Sequence, residues 1–263
     1  MDLGIRERVA LVAAGSKGLG KAVAEELAAE GANLVLCARG EGALRSTAEA
    51  IRQRSGAKVH TVQADVGKAG EPERVVREAH RVFGKVDILL TNSGGPPAGP
   101  FESHNADAWD TAYRLVLASV VEFCRVVLPG MKERRWGRIL NVTSIAAKQP
   151  VDNLMLSNSI RAAVIGFART LANEVAPLGI TVNNLVPGFT RTERMVELAQ
   201  VNAKKEGISV EEAQKRFAAQ IPMGRMAEPR EFAALAAFLA SERASYITGQ
   251  SIAVDGGWIR ALL

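Results

Sequence analysis

Gly15, Gly18 and Gly20 stand in the run Ala13-Ala14-Gly15-Ser16-Lys17-Gly18-Leu19-Gly20, directly after the apolar run Val9–Ala13. The spacing G-x-x-x-G-x-G, placed where a strand ends and a helix opens, fits the cradling of a pyrophosphate. Missing side chains let the backbone come close. The unpaired N–H groups of the first helical turn and the helix dipole then attract the anion. At the end of the next apolar run, Cys37-Ala38-Arg39 carries no carboxylate. A carboxylate there would accept the hydroxyls of an adenosine ribose and repel a 2′-phosphate. Arg39 can instead fork onto a phosphate, and Lys17 adds a second positive charge in the turn. The pattern reads as a dinucleotide site, with NADP(H) expected in preference to NAD(H); the alternative is that Lys17 and Arg39 are solvated surface charges.

Positioning that turn requires a strand before it and a helix after it, and the chain repeats this alternation throughout. Apolar runs at Val9–Ala13 and at 33–37, 58–63, 86–90, 138–142, 180–185 and Ser251–Val254 read as strands. Helical stretches fall at 21–29, 42–54, 73–83, 105–128 and 230–240, with a Gly/Pro-rich loop at 94–100. Ile160, Val164, Phe167 and Leu171 recur at three- and four-residue steps, which puts them on one buried helix face. Strands that are apolar throughout, separated by helices, imply a parallel sheet covered on both sides. Right-handed crossovers then give an α/β fold, a three-layer doubly wound parallel sheet of the Rossmann type. No linker, repeat or low-complexity tract divides the chain, so 1–263 reads as one domain.

The ordered set of motifs resembles the short-chain dehydrogenase/reductase family, and most of all bacterial 3-oxoacyl-acyl-carrier-protein reductase-type members. The glycine turn carries that likeness, although Ala14 stands where a Thr is usual. This removes one hydroxyl hydrogen bond, worth roughly 1 kcal/mol. Asp65-Val66 is similar to the family segment that contacts the adenine edge. Thr91-Asn92-Ser93-Gly94 looks like the family's Asn-Asn-Ala-Gly segment, and Pro187-Gly188-Phe189-Thr190-Arg191-Thr192 like the one that wraps the nicotinamide carboxamide and pyrophosphate. Ile221-Pro222-Met223-Gly224-Arg225, Tyr246-Ile247-Thr248-Gly249-Gln250 and Val254-Asp255-Gly256-Gly257 match its C-terminal signatures. The resemblance thus covers positions 7–258. It implies cofactor contacts from Gly15, Ser16, Lys17, Gly18, Leu19, Gly20, Arg39, Asp65, Val66, Asn92, Gly94, Pro187, Gly188, Thr190 and Thr192.

The same likeness exposes a gap. Family chemistry needs a Tyr that donates a proton to a carbonyl oxygen, with a Lys four residues on that lowers the Tyr pKa. Ser144 matches the family Ser after the strand ending at Val142. The expected Tyr-x-x-x-Lys, however, reads Ser157-Asn158-Ser159-Ile160-Arg161. Val116 falls where a helper Asn is usual, within one residue of alignment uncertainty. A serine hydroxyl is a far weaker acid than a phenol, and Arg161 stays protonated, although it can still donate to a ribose hydroxyl. Loss of a general acid costs about 10²- to 10⁴-fold. Tyr113 is one alternative acid, or else a packed aromatic; Tyr246 reads as structural. His60 and His80 read as ordinary surface or core histidines. His104 and Lys148 are minor candidates for a substrate contact.

A charged helical insertion, 193–219, is interrupted at Gly207 within a lid segment spanning 189–222. Met195, Leu198, Val201, Ile208, Val210 and Phe217 suggest an acyl or ring-bearing ligand, or packing of the lid on its own domain. In the resembled family this region closes over the substrate, the long helix and the helix carrying Ser157 form dimer interfaces, and the C-terminal strand region completes tetramers. A homo-dimer or homo-tetramer is therefore the expectation. The net charge of +5 has its densest basic run at Lys132-Glu133-Arg134-Arg135-Trp136-Gly137-Arg138, read as a solvated helix end without any nucleic-acid module pattern. No run of about 18 apolar residues suggests a membrane span, and no secretory signal is seen, so a cytoplasmic location is expected. Cys37 and Cys124 read as reduced core thiols, and no metal site is indicated. The expected function is NADP(H)-dependent reduction of a carbonyl, 3-oxoacyl-like or a related small ketone, with an atypical proton donor. The alternative is a non-catalytic NADP(H)-binding sensor or scaffold.

Overall fold

The computed structural model describes residues 2–262. Seven parallel strands, β1 (Val9–Ala13), β2 (Asn33–Ala38), β3 (Val59–Gln63), β4 (Ile88–Thr91), β5 (Gly137–Val142), β6 (Ile180–Pro187) and β7 (Ser251–Val254), form one sheet. Its order is β3-β2-β1-β4-β5-β6-β7. The order reverses between β1 and β4, which opens a crevice at the carboxyl ends of those two strands, where ligands bind in such sheets.

Helices cover both sides. On one, α1 (Gly18–Ala29), α2 (Glu41–Ser55) and α9 (Pro229–Leu239) bury Leu27, Ile51 and Phe232 against Leu34, Leu140 and Leu185. On the other, α3 (Glu71–Phe83), α5 (Ser119–Arg134) and α6 (Met155–Val175) bury Val75, Phe123 and Val164 against Leu11, Leu89 and Val182. Alternate residues of each strand therefore meet opposite helix layers. The α/β three-layer reading holds, with element bounds moved by one to several residues.

Two features depart from the sequence reading. The long helical stretch is α4 (Ala106–Tyr113) running through a π turn at Arg114–Ala118 into α5, so an extra residue widens the helix beside Val116. The strands are not apolar throughout: Thr91, Arg138, Asn141, Asn183 and Asn184 are all buried within them.

The solvated reading of the basic run fails at its end. Arg138 is only 2% exposed, and its guanidinium and that of Arg8 both lie over the Trp136 ring, at 4.4 and 3.7 Å from the centroid. Glu242 accepts from both Trp136 Nε1 (2.7 Å) and Arg138 (3.3 Å), closing the cluster at the amino end of the sheet. Arg134 meanwhile sits 3.6 Å from the fully buried carboxylate of Asp87.

The segment expected to act as a lid holds two helices, α7 (Glu193–Glu206) and α8 (Val210–Ala219), separated at Gly207 in the left-handed region. Ala199, Ala203 and Ala213 form its own small core with Ile208, Val210 and Phe217. The Val201 side chain lies outside the described residues. Phe217 stacks on Phe189 at 5.5 Å, and Phe189 meets Trp258 edge-on at 6.1 Å. Packing within the lid and onto Phe189 therefore absorbs some of the apolar residues that suggested a ligand.

Candidate active site

β1 delivers the glycine turn to the crevice, where Gly15 N–H donates to the Cys37 carbonyl at 3.1 Å. A Cβ on Gly20 would run into the Ala14 carbonyl oxygen and come within 3.1 Å of Asn92 Nδ2. Only glycine lets the first turn of α1 tuck under β4 in this way. Gly18 sits at φ +53, and a Cβ there would face Thr192, so the turn opens towards the start of the lid. Ala14 adopts φ +50, a left-handed conformation that strains a residue bearing a Cβ. Ser16 is held by its carbonyl, which accepts from Thr47 Oγ1 at 2.9 Å, while Leu19 packs against the core.

Lys17 and Arg39 are both exposed, and neither forms an ion pair among the described residues. Gln63 Nε2 donates to the Arg39 carbonyl at 3.0 Å and fixes the backbone beneath that guanidinium. After β3, Asp65 Oδ1 accepts from Gly67 N–H at 3.1 Å, and Val66 packs on the core. Gly94 is open, with nothing near the position of a Cβ. Past Pro187, Gly188 lies against the Asp255 backbone, where a Cβ would come within 2.7 Å. Thr190 is buried, with its hydroxyl 3.4 Å from the Gly188 carbonyl, and Thr192 stands at the N-cap position of α7 without a side-chain capping bond. The residues expected to contact a cofactor follow the carboxyl ends of β1, β2, β3, β4 and β6. The glycine cradle and the two uncommitted cations fit a nicotinamide dinucleotide phosphate.

Across the crevice, β5 ends at Val142, and Ser144 begins a short 3-10 turn, Ile145–Ala147. Its Oγ accepts from Ala146 N–H at 3.1 Å, so the hydroxyl proton stays free to donate. Ser157 and Arg161 lie one helical turn apart on α6, each 8% exposed. Among the described residues the Ser157 hydroxyl finds no partner. Its Oγ is not sealed from solvent, unlike Asp87 Oδ1 and Thr181 Oγ1, which are buried without a hydrogen bond. Arg161 Nη1 donates to the carbonyls of Val142 at 3.1 Å and Thr143 at 2.9 Å. Burial alone pushes its pKa down to about 10, with no carboxylate offsetting it. It remains a cation at neutral pH. Its Nε and Nη2 donors have no protein partner and are not sealed either.

Of the alternative proton donors, His104 and Lys148 contact backbone carbonyls, whereas Tyr113 and Tyr246 are exposed. His104 Nε2 lies 3.3 Å from the Gly99 carbonyl, and Lys148 Nζ lies 3.4 Å from the Ser251 carbonyl. Tyr113 is 48% exposed on α4, which overturns the packed-aromatic reading; Val116, one turn on, is buried. Tyr246 is fully exposed, so it has no packed structural role within the chain. His60 stands 3.8 Å from Glu78 on the far side of β3, and burial with nearby Arg134 lowers the pKa of His80 on α3. Cys37 and Cys124 are buried and unlinked, their thiols pushed up to about 12.

Sequence reasoning missed a buried polar row across the carboxyl half of the sheet. Thr91 Oγ1 donates to Asn141 Oδ1 at 2.8 Å, Asn141 Nδ2 to Asn184 Oδ1 at 3.1 Å, and Asn184 Nδ2 to Ser251 Oγ at 3.0 Å. Each pair is in strand register, and each strand of β4 to β7 contributes one residue. Asn158 was also missed: its amide clamps both N–H and C=O of Val151, at 3.2 and 3.0 Å, and holds the loop before α6. An Asn inside an otherwise apolar strand was the available signal, since a buried amide demands a partner.

A family model described as Enoyl-(Acyl carrier protein) reductase matches residues 13–259. The chain is 34% identical to D-beta-hydroxybutyrate dehydrogenase of Cupriavidus necator, over 96% of this chain and 98% of that one. It is also 34% identical to the 3-oxoacyl-acyl-carrier-protein reductase FabG of Escherichia coli, over 95% and 96%. The crystal structure of L-sorbose reductase from Gluconobacter frateurii, complexed with NADPH and L-sorbose, superposes with a TM-score of 0.96 at 34% identity, covering all of both chains. Among the described residues no helix is long and apolar enough to cross a membrane.

Proposed function

The chain belongs to the short-chain dehydrogenase/reductase family, and on that premise we propose that it is an NADP(H)-dependent reductase of a small carbonyl compound, 3-oxoacyl-like or a related ketone, working without the usual phenol. The observation that carries this reading is the glycine cradle at the sheet's switch point, with Lys17 and Arg39 exposed and uncommitted beside it. Lys17 and Arg39 would hold a 2′-phosphate, Asp65 and Val66 the adenine, and Asn92, Gly94, Pro187, Gly188, Thr190 and Thr192 the nicotinamide half. When bound, the nicotinamide supplies a hydride.

The chain's own residues do the rest. Ser144 donates to the substrate oxygen, and Ser157 supplies a second hydroxyl from the opposite wall. Arg161 brings a fixed positive charge to the same end of β5 and offers its unpaired edge to a ribose hydroxyl. Such preorganised donors stabilise charge developing on oxygen. A proton reaches the product from water, because none of these groups is a working acid near neutral pH.

Titration with NADPH and NADH, read by nicotinamide fluorescence, tests the cofactor assignment. Turnover on a panel of ketones tests the chemistry. Tighter binding of NADPH than NADH together with turnover is expected; NADPH binding with no turnover on any carbonyl would favour the non-catalytic sensor or scaffold instead. A homo-dimer or homo-tetramer is proposed from family likeness, to be checked by light scattering, and a cytoplasmic location on the same ground.

A further inference from the structure

Both ends of the two-helix segment 189–222 rest on one short turn near the carboxyl terminus, Asp255–Arg260. At the entrance to the segment, Phe189 meets Trp258 edge-on at 6.1 Å and stacks on Phe217 of α8 at 5.5 Å. At its exit, Met223 N–H donates to the Gly256 carbonyl at 3.2 Å, and a Cβ on Gly256 would come within 2.6 Å of Ile221 Cγ2. The turn is itself held in shape. Asp255 Oδ1 accepts from Gly257 N–H at 2.9 Å, and Oδ2 from Ile259 N–H at 2.8 Å. Hydrogen bonds to an ionised carboxylate are stronger than neutral ones, so the turn resists deformation.

Past Ile259 the chain reaches the loop that follows Ser144. Arg260 N–H donates to Gln149 Oε1 at 3.0 Å, across 111 positions of sequence. Gln149 N–H in turn donates to the Ile145 carbonyl at 3.0 Å, within the 3-10 turn that Ser144 opens. Among the described residues Gln149 makes no hydrogen bond to α7 or α8. Its side chain is tied to that segment only by way of the C-terminal turn.

Resting on the reductase reading above, we propose that Trp258 and Gln149 are positioning residues of the active site. Trp258 holds the segment 189–222 in place through Phe189, and Gln149 ties the Ser144 turn to the same support. A displacement of one is thereby felt by the other. Neither residue touches the reacting atoms; together they fix where the Ser144 hydroxyl stands relative to that segment, and small misplacements of such a group are costly to rate.

Limited trypsin digestion of the full chain tests the coupling without turnover. Arg194 and Arg216 are exposed on α7 and α8, and cleavage after them requires local opening of those helices. Gln149→Met removes the acceptor for Arg260 N–H at similar size, whereas Gln149→Glu keeps an oxygen there. Cleavage at both sites should be about fivefold faster in Gln149→Met, the equivalent of one lost hydrogen bond. It should stay at the parent rate in Gln149→Glu, and Trp258→Ala should accelerate it at least as much as Gln149→Met. Cleavage after Arg45, exposed on α2, should not change in any variant. In turnover, Gln149→Met should lower kcat about fivefold with the KM for NADPH unchanged, and Gln149→Glu should restore it. Parent-rate cleavage in Gln149→Met, acceleration that extends to Arg45, or an unchanged kcat overturns the proposal and leaves the reductase reading standing. A parent chain that binds NADPH but turns over no ketone brings down the reductase reading, and with it the role in catalysis, while the cleavage rates still decide the coupling.

Discussion

Arg161 Nη1 donates to the carbonyl of Thr143 at 2.9 Å, which anchors a buried guanidinium from α6 one peptide before Ser144, just past the end of β5. This contact joins the two walls of the cleft. It also explains how an arginine can sit there without a carboxylate. Two backbone oxygens at the end of a strand accept from it, and the remaining nitrogen edge is left facing the site. The charge is desolvated and fixed, the condition under which it acts most strongly on a nearby oxyanion.

Arg39→Glu should reverse the cofactor preference. Removing a charged hydrogen bond to phosphate and adding a repelling carboxylate should weaken NADPH binding about ten- to a hundredfold, with NADH binding held or improved. Fluorescence titration of both nucleotides checks this, and equal loss for both would refute the assignment of Arg39 to the 2′-phosphate.

Ser157→Tyr combined with Arg161→Lys should restore a conventional acid. On a saturated ketone, kcat/KM should rise about 10²- to 10⁴-fold over the parent. The pH profile should gain an ionisation that the parent lacks. Unchanged rates would show that the two substitutions are not what limits proton transfer.

The Thr91–Asn141–Asn184–Ser251 row should be worth more than one hydrogen bond. Asn184→Leu leaves both Asn141 Nδ2 and Ser251 Oγ without their partner, for a loss of about 1–3 kcal/mol in denaturant unfolding. A double-mutant cycle with Asn141→Ala should give a coupling energy of about 0.5–3 kcal/mol.

Glu231 links pH to stability at the start of α9. Its carboxylate accepts from Arg225 at 2.7 Å on both oxygens and from Glu228 N–H at 2.8 Å, and these bonds hold its pKa at about 2, below the ordinary 4.5. The folded state thus binds this proton less readily than the unfolded one. The stabilisation is fully present above about pH 4.5 and is lost as pH falls towards 2. The difference in melting temperature between the native chain and Glu231→Gln should therefore persist at neutral pH and shrink across that acid window.

Much of this was legible without coordinates. The doubly wound order follows from short apolar runs alternating with helical periods, and the phosphate turn from glycines at a strand–helix junction. The substitution of Ser157 and Arg161 was visible because the motifs around them keep register. Arg138 shows where sequence reading stopped. In the chain it belongs to a basic run, yet it lies buried over Trp136 because the Ser241 and Gly179 carbonyls and the Glu242 carboxylate accept from its guanidinium. Tyr246 shows the converse: a residue inside a matched motif need not pack on its own chain.

The sequence by itself determined the fold, the nucleotide cradle, the likeness to a family of reductases and the loss of the phenol–ammonium pair. These are properties of residue type at short spacing, where helix and strand periodicity decide which side chains share a face. Only the tertiary structure decided what Arg161 does, which strand residues form the polar row, and that His104 and Lys148 are already engaged. Those outcomes depend on contacts between residues 18 to 103 positions apart, or on a backbone carbonyl across a loop, as with His104 and Gly99. Side-chain identity does not encode which backbone oxygen will be within reach; the packing of α6 and β7 against β5 and β6 does.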